Sequence, residues 1–314
     1  MLNEYVYVYD FDNFSDFYDY KLKFRNGTKF KFLDNYYEYY FSPKSEEGYG
    51  EQTLYCYCWL KKENETEALN KIRFSNKVLE YLTCIPIHDE KDCIRNDIVD
   101  ENYISNKFKN ISHTKVIKKL EHVSAYISRF KVERDLFEDV IRLNEIAFKN
   151  LLNAESYWED SLFYSFKVIE KIAKKNYIKF HERKYTKKVK KDNKKQLRNF
   201  IAKYFKESFG ITMTENMLNT SVDEIYKKMR EEAYDSIFLK ISFFCNIKKL
   251  SVDLDEVAKL VKVRNKLAHG DFVAQDKLGH LVGMAFNLSR QFISLYFFDK
   301  TYEDINIKCH IKVN

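Results

Sequence analysis

The sequence predicts an α+β protein in which a small, β-rich α+β module precedes an all-α helical bundle. Short runs of alternating apolar and polar residues fill about the first 62 positions, and this period of two is typical of strands. Apolar residues then recur at helical spacing from about residue 103 to residue 298. Only seven glycines and two prolines occur in 314 residues, too few for a fold built from many strands and tight turns.

The N-terminal module is predicted to contain an antiparallel sheet and one helix. Four alternating runs indicate its strands: YVYVYDF, TKFKFL, YYEYYF and LYCYCWL. The dipeptide Asn26-Gly27 is predicted to form a hairpin turn, because it readily adopts the left-handed conformations that tight turns need. Tyrosine suits a pleated sheet, so the tyrosine density alone does not indicate a base-stacking surface. Ile72 and Leu79 lie on one face of a helix that is predicted to end near Pro86.

The rest of the chain is predicted to be a linker followed by helices. Residues 88–102 are polar and acidic without a clear period, which predicts a linker between modules. Seven helices are predicted near residues 103–130, 134–152, 155–180, 193–208, 221–248, 252–269 and 276–298. The tail INIKCHIKV alternates and indicates one short strand. The predicted domains are an N-terminal module of residues 1–100, a helical connector of residues 101–133 and a helical bundle of residues 134–314.

Composition disfavours several classes of protein. The chain is 45% apolar and 32% charged, which is enough apolar material for a core. No run approaches the roughly 18 apolar residues of a membrane helix, and the N-terminus carries acids where a signal peptide has basic residues, so we expect a cytoplasmic protein with no membrane association. The six cysteines show no CxxC spacing and no histidines at ligand spacing, so we expect reduced thiols, no metal and no cofactor. Glycine-rich phosphate loops, nucleophile elbows and HExxH motifs are absent, which disfavours nucleotide hydrolysis, serine hydrolysis and zinc proteolysis.

A lysine-rich run concentrates part of the chain's net charge of +7. Between Arg183 and Arg198 there are nine basic residues and one acid, Asp192. Such a density is typical of surfaces that contact RNA phosphates, and a solvated connector rich in lysine explains it equally well. The candidate RNA-binding residues are Lys187, Lys188, Lys190, Lys191, Lys194 and Lys195.

The helix predicted over VDLDEVAKLVKVRNKLAHG carries the main anomaly of the sequence. At about 100° per residue, seven apolar side chains share one broad face: Leu254, Val257, Leu260, Val261, Val263, Leu267 and Ala268. Arg264 projects from near the middle of that face, which is unfavourable for a permanent charge unless an anion meets it. Either a bound anion or a buried structural ion pair would satisfy it.

Asn265 and His269 flank the same stripe, four residues apart. Gly270 can adopt the left-handed conformation that ends helices, so His269 is expected in the last turn. The carbonyl groups at a helix C-terminus favour the imidazolium form, and such a histidine suits proton transfer. An ordinary helix-capping histidine is the alternative interpretation.

The string RNKLAHG at residues 264–270 resembles the signature of the HEPN superfamily. Members of that superfamily are helical bundles, many of which are metal-independent endoribonucleases of prokaryotic toxin, abortive-infection and CRISPR-linked defence systems. The resemblance covers about residues 134–300. The order of strands, helix and linker in the N-terminal module also resembles ApeA-type defence proteins, which implies a module that senses a trigger or restrains activity.

The resemblance implies a role for each residue of the motif. His269 would transfer a proton, Arg264 would bind the phosphate with its planar guanidinium, and Asn265 would position the phosphate or the histidine. The expected products are a 2′,3′-cyclic phosphate and a 5′-hydroxyl. Because HEPN proteins pair two motifs at one cleft and this chain has a single copy, a homodimer is implied. RNA is the implied substrate, and an antitoxin or a phage-derived trigger is an expected further partner.

Glu170 is the last candidate for the catalytic centre. It falls within the apolar face that Phe166, Ile169 and Ala173 form on the helix WEDSLFYSFKVIEKIAKK. An acid there would orient Arg264, and pairing with a lysine elsewhere is the alternative. For the whole protein, the alternative function is a catalytically inactive HEPN bundle that binds RNA or a partner protein.

Overall fold

The computed structural model describes most of the chain. The described residues are 2–10, 19–21, 24–42, 51–61, 63–84, 87, 92–111, 114–129, 133–153, 155–184, 187–271, 273–307 and 310–312. Within those ranges only the backbone is described at residues 10, 19–21, 41–42, 51–52, 92–98, 180–184, 187–190, 229–235, 277 and 310–312. The chain divides into two compact units, one formed by residues 1–168 and 278–314 and the other by residues 169–277.

The first unit contains a five-stranded antiparallel sheet. Its strands lie in the order β3-β4-β5-β1-β6, with bounds β1 Leu2–Asp10, β3 Thr28–Phe32, β4 Asn35–Ser42, β5 Glu51–Leu60 and β6 Asp92–Val99. A separate pair joins β2 (Asp19–Lys21) to β7 (His310–Lys312), so the predicted strand in the C-terminal tail is present. Fully buried rings line one face of the sheet: Tyr5, Tyr7, Phe30, Phe32, Tyr37 and Tyr39. The predicted α+β class is confirmed.

The hairpin turn of this sheet does not lie where the sequence predicts it. Asn26-Gly27 forms a turn, and Gly27 has a φ of 73°, but β2 pairs with β7 and not with β3. The hairpin that joins β3 and β4 turns instead at Leu33 and Asp34, with φ values of 48° and 66°. Two successive residues with positive φ are what a tight turn needs to match the twist of its strands.

The predicted linker is wrong over residues 92–99. That segment is the edge strand β6, which pairs antiparallel with β1, and Ile94 lies opposite Val6. In the run DCIRNDIV both alternating sets of positions mix apolar with polar or charged residues, so this strand lacks the period of two that revealed the others, including the opposite edge strand β3. The backbone N–H of Tyr103 then bonds the side chain of Asp100 at 2.7 Å, which begins the next helix with no intervening linker.

Helices complete the first unit. Their bounds are α1 Glu65–Thr83, α2 Glu101–Lys107, α3 Lys115–Arg129, α4 Arg134–Leu152, the first part of α5 (Trp158–Lys184), most of α10 (Gln275–Phe297) and α11 Tyr302–Ile305. Asn64 caps the N-terminus of α1 by accepting a hydrogen bond from the backbone of Glu67 at 3.0 Å. Buried side chains of α1 and α4 pack together, among them Ile72, Leu79, Val140 and Ile141.

The second unit is helical. It contains the second part of α5, then α6 Lys187–Phe209, α7 Glu215–Asp235, α8 Ile237–Lys248 and α9 Leu254–Ala268. A small core between α6 and α7 includes Ile201, Leu218 and Val222. The single helix predicted over residues 221–248 is wrong, because Ser236 separates two helices and its hydroxyl accepts a hydrogen bond from the Leu239 backbone at 3.3 Å. None of the helices within the described ranges is both long and apolar enough to cross a bilayer. The predicted domain boundaries at residues 100 and 133 stay predictions.

Candidate functional site

Helix α9 carries the predicted motif and has well-defined ends. At its N-terminus the Asp253 carboxylate accepts hydrogen bonds from the backbone of Asp255 at 2.8 Å and of Glu256 at 3.4 Å. At its C-terminus Gly270 has a φ of 79°, as the sequence predicts, and the backbone N–H of Asp271 bonds the Lys266 carbonyl at 3.0 Å. This pattern is a Schellman motif, which fixes the backbone on both sides of His269.

The guanidinium of Arg264 is held by two acceptors. Its Nη2 donates to Oε2 of Glu170 on α5 at 2.9 Å, and its Nη1 donates to Oδ1 of Asn265 at 3.1 Å. The side chain of Arg264 is 25% exposed and that of Glu170 is 19% exposed, so the pair is shielded without being sealed from water. The structure thus brings three of the four predicted catalytic residues into contact.

Glu170 also contacts a residue that the sequence did not single out. Its Oε1 lies 2.6 Å from Nζ of Lys174, one helical turn along α5. The two interpretations of Glu170 are therefore both present, because one carboxylate oxygen meets Arg264 and the other meets a lysine. One carboxylate between two cations leaves the cluster with a net charge of +1. A phosphate group is the kind of anion that such a surplus attracts.

The apolar face of α9 is less buried than the sequence predicts. Val257 and Leu260 are its buried side chains within the described residues, whereas Leu254 is 44% exposed and Ala268 is exposed. Arg264 lies on the C-terminal half of the helix, where apolar neighbours are only partly covered. Placing the guanidinium of Arg264 on this face therefore costs less free energy than complete burial would, because the side chain is partly exposed and is paired with Glu170.

His269 occupies the C-cap position just beyond the last helical residue, Ala268. Its backbone N–H bonds the carbonyls of Asn265 at 3.1 Å and Lys266 at 3.0 Å, and its side chain is exposed. Among the described side chains, no hydrogen bond joins the imidazole to Arg264 or Glu170. The histidine therefore lies on the same helix end as the Arg264 cluster and faces solvent.

Residues 187–198 of the lysine-rich run form the first half of α6, whereas Arg183 and Lys184 end α5. Lys191 and Lys195 are exposed, whereas Nζ of Lys194 is paired with Oδ1 of Asp223 on α7. The side chains of Lys187, Lys188 and Lys190 lie outside the described residues. From residue 187 onward the run belongs to a 23-residue helix, and the interpretations as an RNA-contacting surface and as a solvated connector both stay predictions.

Sequence reasoning missed one surface feature of the same helix. Three exposed rings follow the lysines: Phe200, Tyr204 and Phe209. The spacing of four residues between Phe200 and Tyr204 could have revealed them, because residues at that spacing share one helical face.

Comparison of the chain with protein-family models, curated proteins and solved structures gives no match.

Proposed function

We propose that this protein is a metal-independent endoribonuclease of the HEPN type, acting in the cytoplasm as a homodimeric toxin or antiphage effector. The observation that carries the proposal is the hydrogen-bonded group of Glu170, Arg264 and Asn265 beside a solvent-facing histidine at the helix end. RNA is the proposed substrate, and residues 1–100 form the proposed sensing module.

Arg264 is the proposed phosphate-binding group. A planar guanidinium can donate paired hydrogen bonds to phosphate oxygens, which an ammonium group cannot do in the same geometry. The hydrogen bond to Glu170 at 2.9 Å orients the guanidinium before substrate arrives, so less ordering is needed on binding. Oδ1 of Asn265 accepts the hydrogen bond from Arg264, so the Nδ2 group of the same amide can donate a hydrogen bond to a phosphate oxygen.

His269 is the proposed proton-transfer group. The 2′-hydroxyl of the substrate attacks the adjacent phosphorus and forms a P–O2′ bond, while the P–O5′ bond breaks. A base accepts the proton of the 2′-hydroxyl, and an acid donates a proton to the departing 5′ oxygen. The products are a 2′,3′-cyclic phosphate and a 5′-hydroxyl, and the reaction consumes no water and needs no metal.

The need for both an acid and a base supports a dimeric site. One chain supplies a single candidate histidine on α9, which can fill one of the two roles at a time. His269 of the partner subunit would fill the other role if two α9 C-termini faced one cleft. The partly exposed apolar side chains on the C-terminal half of α9, Val263 and Leu267, would then be covered by the second copy.

The test is RNA cleavage in the presence of a chelator. The purified protein is incubated with total RNA or tRNA and EDTA, alongside Arg264→Ala and His269→Ala variants. Arg142→Ala and His280→Ala are the matched controls, because both replace exposed side chains on other helices. We expect the wild type and the controls to yield cyclic-phosphate ends and the site variants to lose cleavage by at least about 100-fold.

Two outcomes would contradict the proposal. Cleavage that persists in both site variants would assign the activity to other residues or to a contaminant. Absence of cleavage by the wild type, combined with RNA binding that the variants retain, would favour a non-catalytic RNA-binding bundle.

A further inference from the structure

Helix α6 concentrates the positive charge of the protein. Its 23 residues, Lys187–Phe209, include nine basic and two acidic side chains. The formal charge of this one helix, +7, therefore equals the net charge of the whole chain. Among the side chains of α6 that the structure describes, four lysines are exposed: Lys191, Lys195, Lys203 and Lys206. A charge density of this kind attracts a polyanion more strongly than scattered surface lysines do.

The same helix also carries three strongly exposed aromatic rings. Phe200 is 65% exposed, Tyr204 is 48% exposed and Phe209 is 58% exposed. The Phe200 and Tyr204 rings are stacked, with centroids 6.2 Å apart and planes inclined by 15°, and the Phe209 ring meets Tyr204 edge to face at 5.8 Å. These three rings form one continuous aromatic cluster, here called the α6 ring cluster.

The α6 ring cluster borders the face that packs on α7, because the Phe205 ring lies 6.0 Å from the Tyr204 ring and 5.7 Å from the Phe209 ring. Ile201 is buried against Leu218 and Val222 of α7, and Leu197 and Phe205 pack around that core. Phe200 and Tyr204 lie on a different flank of the helix, so neither ring is needed to cover this core. Contiguous exposed rings beside cations are the pattern of a binding surface.

We propose that α6 binds single-stranded RNA, with nucleobases stacked on the α6 ring cluster and phosphates near the exposed lysines. The inference rests on the proposed ribonuclease function and identifies the substrate class as unpaired RNA. Aromatic side chains stack on any base, and lysines neutralise any phosphate, so the recognition is tolerant of sequence. At 1.5 Å per residue α6 is about 34 Å long, which is enough for several nucleotides.

Charge argues against a second copy of the chain as the occupant. Two copies of α6 facing each other would each bring a formal charge of +7 to the contact, and like charges that approach within a few ångströms repel. A polynucleotide brings the opposite charge at regular intervals along its backbone. An acidic protein would also satisfy the charge, but it would have no use for the stacked Phe200 and Tyr204 rings, whose exposed faces suit nucleobases.

The test measures binding without cleavage. His269→Ala is used as the background, and affinity for a fluorescent 12-nucleotide oligouridylate is measured by anisotropy in EDTA. The variant Phe200→Leu/Tyr204→Leu keeps apolar side chains and removes both rings, and Tyr157→Leu removes an exposed ring outside α6 as the matched control. We expect the double variant to bind at least about tenfold more weakly and the control to bind unchanged.

The salt dependence of RNA affinity tests the contribution of the lysines to binding. Lys191→Gln/Lys195→Gln is expected to lower the slope of log affinity against log salt by about 1.4, because each phosphate contact on a single strand contributes about 0.7. A duplex RNA of equal length is expected to bind more weakly, since its bases are already stacked. Single-stranded DNA is expected to bind similarly, because neither stacking nor phosphate contact reads the 2′-hydroxyl.

Each opposite result would overturn the inference. Unchanged RNA affinity in the double leucine variant, with thermal melting like that of the background, removes the ring cluster from RNA binding. Loss of dimer mass in that variant without loss of RNA affinity would make the cluster an interface between copies. Equal affinity for duplex RNA would exclude base stacking. Because binding is measured in an uncut complex, a failed cleavage assay would leave this result intact and would contradict only the proposed catalytic function.

Discussion

Arg264 on α9 donates a hydrogen bond to Glu170 on α5 at 2.9 Å, although 94 residues separate the two in sequence. Each of these two charged groups neutralises the other in surroundings that are partly apolar. The carboxylate lies among buried apolar neighbours such as Ile169 and Ala173, and the guanidinium lies on a partly covered apolar stripe. Their contact lets both charges remain in place, and it holds the guanidinium in one orientation.

Replacing Glu170 tests whether that orientation matters for the proposed RNA cleavage. Glu170→Ala is expected to lower kcat by about 100-fold, because an unrestrained guanidinium is misplaced at the phosphate. Glu170→Gln should restore much of the rate, since its amide oxygen can accept the same hydrogen bond. Lys174→Ala serves as the control for loss of the second ion pair. Steady-state kinetics on a short RNA provide the measurement, and a Gln variant as slow as the Ala variant would contradict a positioning role.

The N-cap of α9 offers a test of helix stability. Asp253→Ala removes the acceptor for two backbone N–H groups and should lower the free energy of unfolding by about 1 kcal/mol. Asp253→Asn keeps an oxygen in the same position and should restore most of that loss. Urea denaturation followed by circular dichroism measures both. Equal destabilisation by Ala and Asn would show that the cap bond contributes little.

Glu80 predicts a fall in stability as the pH rises. Burial raises the pKa of its carboxyl from 4.5 to about 8, and a hydrogen bond from the Ile87 backbone opposes that rise. Between those two pKa values the folded state holds a proton that the unfolded state has released, so unfolding is favoured as the pH increases. The loss should reach a few kcal/mol by about pH 8.

Glu80→Gln should flatten that profile, because an uncharged amide has no proton to lose. The melting temperature of the variant should exceed that of the wild type at pH 8.5 and approach it at pH 5. Glu121→Gln changes an exposed carboxyl and serves as the control. Parallel pH profiles for the wild type and Glu80→Gln would rule out Glu80 as the cause.

Arg290 is predicted to be a stability determinant of the first unit. It is buried, its guanidinium lies 3.7 Å from the centroid of the Tyr302 ring, and its Nη2 donates to the Tyr81 carbonyl at 3.0 Å. Lysine lacks the planar group that makes both contacts, so Arg290→Lys should lower the free energy of unfolding by about 2–4 kcal/mol. Arg142→Lys, at an exposed site, should change it by less than about 0.5 kcal/mol. Similar melting curves for the two variants would contradict this prediction.

Much of the helical architecture could be predicted from local signals. The end of α9 was predictable because Gly270 supplies the left-handed residue of a Schellman motif, and the bounds of α4, residues 134–152, follow its apolar period. The edge strand β6 was not predictable from its period, because its sequence DCIRNDIV mixes apolar and charged residues at both sets of alternating positions, unlike the edge strand β3. The break at Ser236 was also missed, since apolar spacing continues through it.

The sequence allowed the residues of the candidate site to be predicted, but it did not allow the contacts between them to be predicted. Helical spacing placed Asn265 and His269 on one flank and Glu170 on an apolar face, but no local pattern specifies which carboxylate meets which cation. Lys194 is a second example. Its position in a basic run suggested that it could bind a phosphate, but the fold pairs it with Asp223. Long-range ion pairs depend on packing, which a single sequence does not encode at the level of local periodicity.

The position of β6 decides where this protein can be divided for study. A fragment that stops near residue 88 would lose the strand that covers one side of β1 and would leave a row of unsatisfied backbone groups on a tyrosine-rich sheet. Such an open border recruits other chains and promotes aggregation. Truncations meant to isolate the N-terminal half should therefore retain the chain through at least Val99.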